Sequence, residues 1–115
     1  MARRITKTDI LEEKFYKMPK FLFNDKYMKI SNDAKILYML LRDRLKLSLK
    51  NDWINENKEV YLIYSRKEME NMLGLSDKTV LRAINQLKDY ELLDETRRGL
   101  TKPNFIYLTH GDVDI

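Results

Sequence analysis

Five polar side chains between residues 78 and 86 have the chemistry that reads base pairs in duplex DNA. Arginine or lysine can pair with guanine, and asparagine or glutamine with adenine, through two hydrogen bonds in the major groove. Because Val80, Ile84 and Leu87 recur at helical spacing among them, one helix would bury that apolar stripe and present the polar side chains outward. Any surface helix carries such residues. Whether these side chains contact DNA or are an ordinary solvent-exposed face must therefore be judged from the surrounding elements. The five are Lys78, Thr79, Arg82, Asn85 and Gln86.

Two short helices joined by a glycine-containing turn would position this polar face. Ser65 and Glu68 form a capping-box pattern that opens the first helix, and Gly74 ends it. Ser76 caps the second helix, where its hydroxyl and the first helical N–H groups could bind a backbone phosphate. A helix, a short turn and a second helix form a helix-turn-helix. The apolar side of the first helix comprises Met69, Met72 and Leu73.

A basic hairpin follows the second helix. Leu92 and Leu93 begin one strand, residues 97–104 form a turn, and Phe105–Leu108 return as the other strand. The basic residues of the turn suit phosphate or minor-groove contact, although a charged tip that keeps the hairpin soluble explains any one of them equally well. They are Arg97, Arg98 and Lys102. The order of elements predicts a winged helix-turn-helix, an α+β fold that is mainly α with a small antiparallel sheet.

The rest of the domain would supply the core. Apolar residues at helical spacing predict a long helix over residues 32–47, capped by Ser31, and residues 60–64 have the composition of a strand. Seven tyrosines and Trp53 could stack on nucleobases, but most lie in apolar stripes or strands, which favours a place in the core.

An apolar and aromatic segment over residues 15–23 contains a proline, which indicates an edge strand or an extended segment. So many large apolar side chains must cover the domain's own core or meet another subunit. If the segment forms a subunit interface, the candidate interface residues are Phe15, Tyr16, Met18, Phe21 and Phe23. Before this segment, Arg3 and Arg4 belong either to a DNA-contacting arm or to a disordered tail.

The composition limits the classes of function. A chain of 115 residues with 43% apolar content can bury one core. With no cysteine and the single histidine His110, disulfides, zinc fingers and cysteine nucleophiles are excluded, and three glycines are too few for a phosphate-binding P-loop. We expect no catalytic residue, metal or cofactor. A net charge of +4 would attract phosphates, and the lack of a membrane-spanning run or a signal peptide favours a soluble, cytoplasmic protein.

Several segments together resemble the N-terminal domains of RepA-type initiators of plasmids from low-GC Gram-positive bacteria, in particular those of staphylococcal multiresistance plasmids. The most specific are Leu-Ser-Leu-Lys-Asn at 47–51 and Lys-Pro-Asn at 102–104. One departure is Asn57-Lys58, where relatives often place a glycine in the loop before the strand. The other segments are Phe15–Lys20, Ala34-Lys35 with Tyr38, Leu41 and Arg44, Trp53, Val60–Tyr64 and Gly99–Tyr107.

The resemblance implies a DNA-binding domain of a plasmid replication initiator that recognises repeated sites at the origin. It also implies a homodimer, pairing of DNA-bound dimers, and contact with host replication proteins through a further C-terminal domain. The expected organisation is an arm over residues 1–14, flexible or weakly helical, a winged-helix domain over 15–110, and the start of a linker over 111–115. Two alternatives remain open: a transcriptional regulator with the same fold, and a winged helix used for protein–protein contact.

Overall fold

The computed structural model describes residues 2–111, and the residues 112–115 assigned to a linker lie outside that range. Within it the chain forms four α-helices, two turns of 3₁₀ helix and three short strands. The helices are α1 (Lys7–Glu12), α2 (Asn32–Lys50), α3 (Arg66–Leu73) and α4 (Asp77–Asp89); the 3₁₀ turns are Lys20–Phe23 and Asp25–Tyr27; the strands are β1 (Leu62–Ile63), β2 (Leu93–Thr96) and β3 (Phe105–Leu108).

Serine side chains cap the three longer helices, as the sequence predicts. The Oγ atoms of Ser31, Ser65 and Ser76 each accept a hydrogen bond from the backbone N–H three residues on, at 3.1–3.3 Å. The return bond from Glu68 that would complete a capping box at Ser65 is not formed within the described residues. Gly74 ends α3 in the left-handed conformation with φ 66°, which turns the chain into α4.

The core lies between α2, α4 and the inner face of the sheet. Leu37, Tyr38 and Leu41 of α2 are fully buried, and the predicted stripe of α4 packs with them. Burying one such side chain contributes about 1.5–3 kcal/mol relative to leaving it exposed. Met72, on the apolar side predicted for α3, is more than half exposed. Trp53 lies outside this core, half-buried in a separate aromatic group against Tyr61. Tyr27, Tyr38 and Tyr64 are core residues as predicted.

The three strands form an antiparallel sheet in the order β1-β3-β2. β2 and β3 pair from Leu93 opposite Leu108 to Thr96 opposite Phe105, which confirms the predicted hairpin. The first strand is shorter than expected, because Val60 makes only an isolated bridge to Ile54 before the regular pairing of Leu62–Ile63. These elements confirm a mainly helical winged-helix architecture with a small antiparallel sheet.

The loop before β1 bends tightly at Lys58. Lys58 has φ 65°, in the left-handed region that costs a side-chain-bearing residue roughly 1–2 kcal/mol. Asn55 stabilises the bend, because its Oδ1 accepts hydrogen bonds from the backbone N–H groups of Asn57 and Glu59, both at 2.9 Å. The loop therefore keeps a glycine-like shape without a glycine.

The apolar segment over residues 15–23 is extended and then helical, and the edge-strand alternative is wrong. Pro19 has an extended backbone and precedes the first 3₁₀ turn. From that turn the Phe21 ring packs edge-on against Tyr27 and Tyr38, with ring centroids 5.4 and 5.6 Å apart. The segment therefore covers part of the domain's own core.

The first fourteen residues contain one short helix. Thr6 and Asp9 form a complete capping box at the start of α1, and both Nη atoms of Arg3 contact the Asp9 carboxylate at 2.6 and 2.7 Å. Hydrogen bonds from Arg3 and Thr6 lower the pKa of Asp9 to about 2. No residue of α1 is buried. The helix is therefore stabilised by its own capping groups and not by packing against the core.

Candidate nucleic-acid interface

Three of the exposed polar side chains on the outer face of α4 are of types that can contact base edges. Lys78, Arg82 and Asn85 project away from the buried stripe. Within residues 2–111 none of the three makes a hydrogen bond or an ion pair, so their donors and acceptors face solvent. They lie beside Leu81 along a shallow groove, and their types are those that contact guanine and adenine edges. Helical spacing predicts all three positions as exposed, and the structure confirms this.

Two other predicted residues of α4 lie on its flank toward α2 and take part in bonds within the domain. Gln86 Oε1 accepts a hydrogen bond of 2.8 Å from the backbone N–H of Ser31, at the cap of α2. The Thr79 and Ser76 hydroxyls lie 2.9 Å apart. Gln86 and Thr79 therefore have structural roles that their residue types did not indicate. The partner of Gln86 could not be read from the local sequence, because Ser31 is 55 residues away.

The opposite flank of α4 borders a cleft of about 400 Å³ that α3, α4 and the β2–β3 hairpin enclose. Its charged lining is basic apart from one carboxylate. The residue pattern predicts Lys102 as a DNA-binding candidate but does not indicate Arg66, Lys88 or Asn104. A signal was available, because Lys88 follows the exposed Leu81 by seven residues, which places both on one side of a helix. The polar residues lining the cleft include Arg66, Lys88, Glu95, Lys102 and Asn104.

Glu95 is the carboxylate in this cleft, and it joins α4 to the hairpin. Its Oε1 lies 3.0 Å from Lys88 Nζ, and its Oε2 accepts a hydrogen bond of 2.7 Å from Asn104 Nδ2. Partial burial raises the pKa of Glu95, but bonds from Asn104 and Lys88 and the charges of Lys88 and Arg66 outweigh burial. The net result is a pKa below the ordinary glutamate value, so Glu95 is ionised at neutral pH.

The hairpin turn over residues 97–104 has one anchored arginine and two exposed basic residues. Arg98 Nε donates to the Pro103 carbonyl at 2.8 Å, and its guanidinium lies 4.2 Å from the centroid of the Phe105 ring. Arg98 therefore braces the turn, while Arg97 and Lys102 are exposed to solvent. Leu100, at the tip, is 96% exposed.

The remaining predicted residues lie apart from α4. In the arm Arg3 is paired with Asp9, whereas Arg4 is exposed. Of the apolar candidates, Met18 and Phe21 pack against the core, whereas Phe15, Tyr16 and Phe23 are 70%, 47% and 58% exposed.

The residues that the structure describes were also compared with the requirements of metal sites and membrane-spanning helices. Over residues 2–111, no three histidine, cysteine, aspartate or glutamate side chains are placed to hold a metal ion. No helix in that range has the length and apolar character needed to cross a membrane. His110 is exposed. The outer face of α4 and the adjoining cleft are therefore the best-defined candidate surface.

Comparison with known proteins gives concordant matches. The family model for the N-terminus of replication initiator protein A matches residues 14–114. A "41 kDa protein" of Lactobacillus helveticus is 36% identical over 97% of the chain, which spans about a third (34%) of that relative's length.

Three solved structures are also similar, each 36% identical to this chain. "N-Terminal domain of DNA binding protein" has a TM-score of 0.81, covering 99% of this chain and 88% of its own. "Structure of MDR initiator" has a TM-score of 0.79, and the match covers 97% of this chain and 89% of that one. "Structure of Rep-DNA complex" has a TM-score of 0.81, and the match covers 98% of this chain and 88% of that one.

Proposed function

The chain belongs to the family of N-terminal domains of replication initiator protein A, and on that premise we propose that it binds duplex DNA sequence-specifically at repeated sites of a plasmid origin. The outer face of α4 carries the proposal, because Lys78, Arg82 and Asn85 make no bond within the described domain and are free to contact base edges. The structural neighbour named as a Rep–DNA complex adds support.

In the proposed arrangement α4 enters the major groove and the hairpin flanks it. Ser76 and the first N–H groups of α4 lie at the positive end of the helix dipole, where a backbone phosphate would be favoured. Arg97 and Lys102 would contact phosphates or the minor groove from the hairpin turn. Arg98 and Gln86 would act mainly by holding the turn and α4 in place.

A dimer is part of the proposal. Exposed apolar side chains at Phe15, Tyr16 and Phe23 form a surface that association would remove from water. Dimers bound at neighbouring repeats could pair with one another, and host replication proteins would be contacted by a part of the initiator beyond this domain. These functions are proposed for an initiator longer than this domain, because the chain spans about a third of the length of the Lactobacillus helveticus relative.

Fluorescence anisotropy tests the DNA proposal. The chain is titrated with a duplex of tandem repeats from the origin of its own replicon and with a scrambled duplex of equal composition, at two salt concentrations. We expect the repeats to bind roughly 10³-fold or more tightly than the scrambled duplex. Equal, steeply salt-dependent binding to both duplexes would contradict sequence-specific recognition. Preference for a single palindrome at a promoter would favour a transcriptional regulator.

A further inference from the structure

A carboxylate lies inside the basic cleft beside the DNA-facing surface. Arg66, Lys88 and Lys102 line this cleft, and Glu95 is the acidic residue among them. Only 19% of the Glu95 side chain is exposed, so contacts with the protein, more than hydration, stabilise the charge of its carboxylate. A surface that simply maximised attraction for phosphates would not carry this charge, because a fixed anion repels the DNA backbone.

The contacts of Glu95 indicate what the carboxylate does there. One oxygen holds the Lys88 ammonium at 3.0 Å, and the other accepts from Asn104 at 2.7 Å. Lys88 is 41% exposed and belongs to the last turn of α4, so without Glu95 its flexible side chain could reach out of the cleft toward a phosphate. The bond to Asn104 fixes the carboxylate at the base of the hairpin turn, which keeps it aimed at Lys88.

We propose that Glu95 is a positioning residue that withholds Lys88 from the DNA backbone and so limits the sequence-independent part of DNA binding. The inference rests on the proposed function, since it concerns how much of the domain's DNA affinity comes from phosphate contacts. A lysine that contacts phosphate strengthens binding to every sequence alike, whereas base contacts strengthen binding to the correct site. Holding Lys88 inside the protein therefore lowers the affinity for every sequence and its dependence on salt, and leaves the contacts between α4 and the bases unchanged.

The Glu95→Gln variant tests this role on a scrambled duplex. Glutamine has the same size and still accepts a hydrogen bond from Asn104, but it releases the Lys88 charge. One new phosphate contact raises the slope of log affinity against log salt by about 0.9, and we expect roughly three- to ten-fold tighter scrambled-DNA binding near 0.1 M salt. Because the new contact is with phosphate, binding to origin repeats should tighten by a similar factor, and the ratio between the origin-repeat and scrambled affinities should stay nearly the same.

Two further variants separate this role from general charge or folding effects. Glu56→Gln makes the same charge change at an exposed loop position outside the cleft, and we expect a much smaller change in slope. The double variant Glu95→Gln/Lys88→Met has the net charge of the parent, and its slope should return to the parent value. Thermal unfolding of each variant confirms that the folded state is being compared.

The outcomes distinguish this inference from the proposed function. If the parent prefers origin repeats but Glu95→Gln and Glu56→Gln bind scrambled DNA with equal affinity and slope, the role of Glu95 is overturned and the function stands. If the double variant keeps the steeper slope, the new contact does not come from Lys88 and the inference fails. If the parent shows no preference for repeats, the proposed function fails, whereas the scrambled-DNA slopes still decide the behaviour of Lys88.

Discussion

Arg82 and Lys102 are both exposed cations, but their positions predict different contributions to binding. Arg82 projects from the outer face of α4, where a guanidinium can form two bonds to one guanine. Lys102 lies in the hairpin turn at the edge of the cleft, where an ammonium would neutralise phosphate regardless of sequence. Specific and non-specific DNA binding should therefore respond differently to their removal.

We expect Arg82→Ala to cost about 1–3 kcal/mol on origin repeats and to relax base preference at one position. Arg82→Lys keeps the charge but loses the two-bond geometry, so it should resemble alanine in base preference. Lys102→Ala should weaken repeats and scrambled DNA alike and lower the salt slope by about one. Binding titrations on both duplexes measure these effects. Equal losses on both duplexes for Arg82→Ala would remove that residue from base readout.

Residue types and helical spacing were sufficient to predict the exposed positions of α4, because the 3.6-residue period fixes which side chains face outward. They were insufficient for Gln86 and Arg98. These side chains bond to Ser31 and to the Pro103 carbonyl, and such partners depend on the folded path of the chain. The role of Lys88 was missed for the same reason, since its partner Glu95 belongs to a strand that follows the helix.

At the scale of elements, the helix boundaries follow from local chemistry. Each serine cap satisfies an N–H within three residues of itself, so the sequence alone predicts it. The strands are less predictable, because their lengths depend on partners elsewhere in the chain. Val60–Tyr64 has strand composition throughout, yet only two of its residues pair regularly with β3.

Two backbone positions with similar conformations predict opposite stability changes. Gly74→Ala should lower the free energy of unfolding by about 1 kcal/mol, because φ is 66° there. An added Cβ would meet no atom within 4 Å, so the cost would come from the backbone alone. Lys58→Gly should raise the free energy of unfolding by up to about 1 kcal/mol by relieving the same strain at φ 65°. Urea unfolding of both variants measures the changes, and two shifts of the same sign would contradict this account.

At the scale of the whole molecule, the exposed aromatic side chains of the N-terminal segment predict self-association. Met18 and Phe21 of this segment pack against the domain's own core, whereas Phe15 is mostly exposed and Tyr16 about half exposed. The Phe23 ring lies 4.6 Å from the Lys35 ammonium and remains exposed on its other side. The predicted interface therefore reduces to three of the five residues that the sequence suggested.

We expect light scattering at micromolar concentration to give roughly twice the monomer mass of 13.9 kDa. Replacing Phe15 and Phe23 together by serine should shift the mass toward the monomer, because the apolar contact area is lost. Met72→Ser changes an exposed apolar residue on α3 and serves as the control. A parent chain that is monomeric under these conditions would count against the interface.

The hydrogen bond between Ser31 and Gln86 limits how the domain could be retargeted to another DNA sequence. Lys78, Arg82 and Asn85 can be exchanged without breaking any bond within residues 2–111, so new base preferences could be selected at these positions. Exchange of Gln86 would also leave the Ser31 N–H at the cap of α2 without its acceptor, at a cost of roughly 1 kcal/mol. A selection library should therefore vary the first three positions freely and keep glutamine at the fourth.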